Sequence, residues 1–225
     1  MTTIIVPDVH ERLDQLDALE DRLSAADRVV FLGDFFDKFG NRYSEQMARW
    51  LVENLGREGW EFLLGNHDAS YRWPTLYACS GYQNRTQEAV WHTFGRGDNT
   101  YWREFKLFTE VAGYTLSHAG FVEETKHFKN HNTYQTACDA SDAGHYCGIF
   151  GAGRARGGPQ DLGGPIWLDW NHEFEPVDGM PQIVGHTYKS GAHREKSGNW
   201  CIDNGLNSVM QIDEETGKHE FISVG

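Results

Sequence analysis

Residues 28–37 read Arg28-Val29-Val30-Phe31-Leu32-Gly33-Asp34-Phe35-Phe36-Asp37. A short β-branched and aromatic run is cut by a glycine and followed at once by carboxylates, the pattern of a buried strand that ends in a polar loop. Upstream, Thr3-Ile4-Ile5-Val6 makes the same move into Asp8-Val9-His10, and downstream Trp60 to Leu64 runs into Gly65-Asn66-His67-Asp68. Between these strands the apolar spacing changes. Leu13, Leu16, Leu19 and Leu23 stripe one face of a helix, and Tyr43 to Leu55 reads as a second helix closed by Gly56. This alternation predicts an α/β fold with helices covering a sheet.

Residues 69–112 are expected to be mainly helical, with Asp98 or Asn99 capping a segment that carries Phe105, Phe108 and Val111. Strands resume at Tyr114-Thr115-Leu116, Gln182-Ile183-Val184, Trp200-Cys201-Ile202, Val209 to Ile212 and Glu220 to Val224. The closeness of the last three predicts an antiparallel meander. Residues 144–164 hold eight glycines together with Arg154 and Arg156, and little periodicity. That is a loop, either a substrate lid or a flexible surface segment. With 225 residues and no clear linker, a single domain over 1–225 is expected, with a helical insertion at about 69–112 and the Gly-rich loop at about 144–164.

The formal net charge of −13 argues against a nucleic-acid groove, which draws its affinity from Lys and Arg on phosphates. No apolar run approaches the length of a membrane span, and Met1-Thr2-Thr3 leads into a strand without a basic leader. No membrane partner and a cytoplasmic address are expected. Cys79, Cys138, Cys147 and Cys201 are widely spaced without a CxxC pair, so they are expected as reduced, mostly buried thiols.

Five apolar runs end in residues of metal-ligand type, the last two at Ser117-His118-Ala119-Gly120 and Gly185-His186-Thr187. In open α/β sheets, ligands gather beyond the carboxyl ends of the strands, so such endings can converge on one crevice. Asp8 and His10 sit two apart on an extended segment and can face one ion together. Asp34 can bridge two ions, with Asn66, His118 and His186 supplying donors for the second. A set of oxygen and imidazole donors without thiolate suits manganese, iron or zinc. Taken singly, His118 and His186 read as hydrogen-bonded core histidines and Asp8 as a cap or turn residue; taken as an ordered set, they read as ligands.

This motif series, spanning positions 8 to 187, resembles that of the calcineurin-like metallophosphoesterases, which include the Ser/Thr protein phosphatases and the symmetrical dinucleoside tetraphosphatases. The resemblance implies a four-layer α/β (α+β) fold, a two-sheet β-sandwich flanked by helices. It implies two divalent cations, manganese first and iron, zinc or nickel as alternatives. One would be held by Asp8, His10 and Asp34, the other by Asp34, Asn66, His118 and His186. His67 would bind no metal but act at the leaving group, oriented by Asp37. Two ions roughly 3.5–4 Å apart lower the pKa of a bridging water and clamp the phosphate for in-line attack. The expected activity is metal-dependent phosphomonoester hydrolysis of the Ser/Thr protein phosphatase type. Hydrolysis of dinucleoside polyphosphates or other nucleotides is one alternative, and an inactive metal-binding scaffold is another. The pattern departs from the family at Lys38 and Asp169, where protein phosphatases and many relatives carry arginines. A Lys ammonium lacks the bidentate fork. Lys38, Arg154, Arg156 and Arg194 are therefore the open candidates for holding the phosphate of a phosphoprotein or nucleotide.

Overall fold

The computed structural model describes residues 1–37, 42–190 and 193–224; Lys38 lies outside them. Two mixed sheets stack face to face. In the first, β1 (Thr2–Val6), β2 (Arg28–Phe31), β3 (Trp60–Leu63) and β4 (Phe105–Lys106) run parallel. β10 (Ser208–Asp213) lies antiparallel on the other side of β1, with β11 (His219–Ser223) beyond it. The second sheet holds β5 (Phe108–Val111), β6 (Tyr114–Ser117), β7 (Gln182–Val184), β9 (Asn199–Cys201) and β8 (Arg194–Lys196), in that order. Within it β6, β7 and β9 are parallel.

Alternation along the strands divides the core into layers. Ile5, Val30, Leu32 and Leu63 of the first sheet meet Val111, Leu116, Ile183 and Ile202 of the second, all buried. The opposite faces of β1 and β2 turn Ile4, Val6, Val29 and Phe31 toward the helices α1 (Leu13–Ala25) and α2 (Ser44–Asn54), which contribute Leu16, Leu19, Leu23, Met47 and Leu51. Beyond these lie α3 (Asn66–Arg72), α4 (Pro74–Tyr77), α5 (Asn84–Phe94) and α6 (His131–Asp142). The outer face of the second sheet, with Val184 and Cys201, is covered by Leu168, Trp170 and Phe174 from a segment of turns. This is the expected fold class, four layers with the fourth built from turns. Arg28 ties the two sheets together: it pairs with Glu61 on β3 and donates to Thr109 Oγ1 (2.8 Å) on β5. No described helix is long and apolar enough to cross a membrane.

Three local expectations need correction. Helix in the 69–112 segment stops at Phe94, and Tyr101–Glu104 form only a 3-10 turn; Phe105, Phe108 and Val111 then fall on β4 and β5. Asp98 does not cap a helix there but folds back on the backbone N–H and hydroxyl of Thr100. Phe105 packs on Phe62 of the first sheet while Val111 faces the interlayer core, so this stretch carries the chain from one sheet to the other. The meander also fails. β9 joins the second sheet, where it pairs antiparallel with β8, and of the three strands β10 and β11 alone pair with each other, because Ile202 and Met210 enter the interlayer core from opposite sheets.

Finally, residues 144–164 are not simply a flexible surface segment. Gly151, Gly153, Gly163 and Gly164 are buried, and a Cβ on Gly164 would lie 2.3 Å from Ile149 O. Backbone packs against backbone there, which only glycine permits.

Candidate active site

Because β1, β2 and β3 are parallel, the loops that follow them leave the same edge of the first sheet; the parallel strands β6 and β7 do the same for the second. Backbone bonds lock these loops together. His10 N donates to Asp34 O (2.8 Å) and Gly185 N to His118 O (2.8 Å). Across the sheets, His186 N donates to Asp8 Oδ1 (2.9 Å). The turns are tight enough that His10, Glu11, Asp34, Asp37 and His186 all take positive φ, a region that L residues other than Asn, Asp and His seldom enter. Gly65 and Gly185 stand where a Cβ would lie 2.1 Å from Asp34 Oδ1 and 2.2 Å from Asp8 Oδ1. Close approach fixes glycine at both.

Six predicted donors meet in this crevice. Asp8, His10 and Asp34 form one buried group and Asp34, His118 and His186 another, with the donor atoms of each group within 4.8 Å of one another. Asp34 belongs to both. His118 Nε2 lies 3.1 Å from Asn66 Oδ1, 3.2 Å from His186 Nδ1 and 3.4 Å from Asp34 Oδ2. The other nitrogen of His118 donates to Leu32 O (2.8 Å), and Nδ1 of His10 donates to Phe36 O (2.9 Å). Each ring therefore turns Nε2 toward the carboxylates, the orientation that metal-binding imidazoles take when an outer hydrogen bond sets the tautomer. In a neutral His118 ring, Nε2 and Asn66 Oδ1 would be two lone pairs facing each other at 3.1 Å, an arrangement relieved either by a proton on Nε2 or by a metal cation between them.

Charges in the crevice follow from that crowding. Burial opposes ionisation of Asp34, but His118, His67 and His10 hold its pKa well below the ordinary value. Burial likewise works against a charged His118, yet Asp34 and Asp8 raise its pKa to about 9. His186 moves the other way, pushed well down by burial and by the charges of His118 and Arg156. Such mutually compensated carboxylates and imidazoles are ready to exchange protons for metal.

His67 opens α3 beside the crevice. Its Nδ1 lies 2.7 Å from Asp37 Oδ2, and its backbone N–H donates to Asp34 Oδ1 (2.9 Å). Burial disfavours the imidazolium, but the Asp34 charge and the Asp37 hydrogen bond raise its pKa well above the ordinary value. Tyr71 holds the other oxygen of Asp37 through its hydroxyl.

Sequence reading assigned no role to several neighbours. Asp68 accepts from the N–H groups of Asp34 (2.8 Å), Phe35 (2.9 Å) and Gly65 (2.9 Å) and so shapes two ligand loops at once. Burial and the nearby Asp34 raise its pKa to about 7. Glu11 takes Ser44 Oγ (2.7 Å) and supports the backbone of Asp37. Cys79 places its Sγ 3.5 Å from His67 Nδ1. Asp68 was the legible one, sitting inside the Gly65-Asn66-His67-Asp68 motif.

The candidate phosphate-binding residues separate. Arg154 is 74% exposed and paired with Asp161, pointing away. Arg194 binds Asn171 and Cys201. Arg156 pairs with Asp169 (2.7 Å) and donates to Thr187 Oγ1 (2.7 Å), next to His186. Together with Cys79, Tyr77, Tyr146 and Trp167, Arg156 lines a cavity of about 310 Å³. Trp167 meets His186 edge to face at 5.7 Å, so this cavity opens beside the donor cluster. The glycine segment forms one of its walls.

A search of curated proteins found no match. Among solved structures, the fold is similar to a cold-active protein-tyrosine phosphatase of the psychrophile Shewanella sp., with TM-score 0.63 and 14% identity over 99% of this chain and 80% of that one. It is also similar to a protein serine/threonine phosphatase from Saccharomyces cerevisiae (TM-score 0.58, 14% identity, 100% and 80% covered). A metallophosphoesterase from Sphaerobacter thermophilus matches with TM-score 0.51 and 13% identity over 100% and 88%. At these identities the likeness speaks for the fold alone. Family membership comes from the sequence, in which residues 1–190 match the model of the calcineurin-like phosphoesterases. The chain belongs to that family and is a hydrolase of phosphoric esters.

Proposed function

We propose that residues 1–225 form one catalytic domain that hydrolyses phosphomonoesters with two divalent cations, manganese foremost. Asp8, His10 and Asp34 would hold one cation, and Asp34, Asn66, His118 and His186 the other. The observation that carries this reading is the membership of Asp34 in both donor groups, which allows one carboxylate to link two ions. The donors fit: carboxylate, amide oxygen and imidazole without sulfur suit manganese, iron or zinc. When bound, such a pair supplies a nucleophile at neutral pH and withdraws charge from the phosphate oxygens.

The chain's own residues do the rest. His67, charged and steered by Asp37, donates a proton to the departing oxygen, a contribution of about 10²–10⁴-fold. Arg156, held against Asp169 and Thr187, reaches the rim of the crevice and can take a phosphate oxygen there. A phosphoprotein substrate is supported by the fold's likeness to protein phosphatases. A nucleotide or dinucleoside polyphosphate is the second reading, favoured by the aromatic walls Tyr77, Tyr146 and Trp167 of the adjoining cavity.

The test is a panel of phosphoserine, phosphothreonine and phosphotyrosine peptides against diadenosine tetraphosphate, with manganese, nickel and magnesium compared. Phosphate release from peptides supports the first reading, and nucleotide release the second. Asp34→Asn should lose both rate and bound metal. Full activity and two bound cations in that variant would remove the bridging assignment.

A further inference from the structure

The reaction proposed above gives Cys79 no role, yet this residue stands against His67. Its Sγ is 3.5 Å from His67 Nδ1, the nitrogen that faces Asp37 Oδ2 at 2.7 Å. One donor atom from each of Asp37, His67 and Cys79 lies within 4.8 Å of the other two. Zinc binds sulfur at about 2.3 Å and imidazole nitrogen at about 2.0–2.1 Å, which at a tetrahedral angle places the two donors roughly 3.6 Å apart. The sulfur and nitrogen are already at that spacing, while the Asp37 oxygen, at 2.7 Å from the nitrogen, needs to retreat by roughly 0.7 Å to admit the ion.

The group is closely packed on one side and reached from another. Gly81 faces this group; a Cβ there would lie 2.9 Å from His67 Nδ1 and 3.0 Å from Asp37 Oδ2. Gly81 does not take a positive φ, so its backbone does not demand glycine; the close approach does, since a Cβ at these distances would press on both donor atoms. Cys79 also lines the cavity beside the crevice, which gives a hydrated ion a way in.

We propose that Asp37, His67 and Cys79 form a third metal site, one that selects zinc through its thiolate and inhibits hydrolysis. The six donors of the crevice include no sulfur, so among these residues only Cys79 offers a softer ion a thiolate. Zinc binding releases the thiol proton and the Nδ1 proton of His67. The imidazole then loses the Asp37 hydrogen bond that orients it and is no longer an imidazolium ready to give up a proton. The effect on rate rests on the function proposed above; the binding does not.

Two measurements on the full chain test this. Protein loaded with two equivalents of manganese should take up one further equivalent of zinc and lose activity at least about tenfold, the low end for removing a general acid. Cys79→Ser and Cys79→Ala, each compared with its own zinc-free rate, should escape that inhibition. Independently, cobalt added to metal-free protein should give a sulfur-to-cobalt charge-transfer band that zinc bleaches and that both variants lack. Absence of the band, or its persistence in both variants, overturns the site. Zinc inhibition that persists in both variants overturns it too, since the zinc then acts by displacing manganese. A Cys79-dependent band in a protein that hydrolyses no phosphate ester would sink the proposed function and leave the zinc site standing.

Discussion

His67 can give its proton usefully only while its ring is held in one orientation, and two contacts hold it: Asp37 Oδ2 at 2.7 Å and the tight fit over Gly81. His67→Ala should therefore lower turnover on an alkyl phosphate by about 10²–10⁴-fold. The loss should be smaller on an aryl phosphate, whose leaving group departs without a proton. Metal per chain, measured by elemental analysis, should stay unchanged, because His67 sits outside both donor groups built on Asp34. Gly81→Ala tests the fit. Its Cβ would lie 2.6 Å from His67 Cε1, so the ring must move, and kcat should fall on the order of 10–100-fold with metal retained. A variant with normal kcat would show that His67 does not need this orientation.

At the scale of elements, the crevice depends on how loops leave the strands. Asp68 on α3 gathers three backbone N–H groups, two of them from the loop after β2 and one from the loop after β3. Asn at this position offers one acceptor oxygen and turns an NH₂ toward an N–H, so at least one buried donor goes unmet. Asp68→Asn should cost about 1–3 kcal/mol, read from the urea midpoint, and should lower metal content because Asp34 moves with its loop. Far from the crevice, Glu61 joins β3 to Arg28 on β2 and to Lys106 on β4. Burial would raise its pKa, but the hydrogen bonds from Lys106 and Thr109 and the Arg28 charge hold it below the ordinary value. A carboxylate depressed in the folded state stabilises above its unfolded pKa near 4.3, and that stabilisation disappears as pH falls through the folded pKa. Glu61→Gln should lose about 1 kcal/mol at pH 7, a Tm drop of roughly 2–4 °C. The gap from the parent should close as both are titrated below about pH 4. A constant gap across that range would assign the loss to packing.

For the whole molecule, the two sheets exist as a pair whose shared edge brings Asp8, Asp34, Asp37 and Asp68 into one buried region. Chelation should leave these carboxylates compensated only by histidines. Tm followed by scanning calorimetry should drop on chelation and return with manganese, each site contributing about 4 kcal/mol when free metal exceeds its Kd by 1,000-fold. An unchanged Tm would mean that the crevice holds no tightly bound metal. By itself the sequence determined the strands from Thr3 to Leu64, their helices and the donors that follow each strand. Those features are local: an apolar run of strand length, a glycine and a ligand lie together in the chain. Pairing belongs to tertiary structure, since an apolar run does not say which sheet will bury it. Phe105 to Val111 became strands that pass between the layers, and Trp200 joined a different sheet from Val209. The same holds for side chains that meet through space. Asp169 brings in Arg156 while Arg154, two residues away, faces solvent, and Cys79 reaches His67 only because the chain after α4 folds back over α3. Periodicity fixes which face of an element is apolar; only the closing of one sheet upon the other decides what that face and its loops touch.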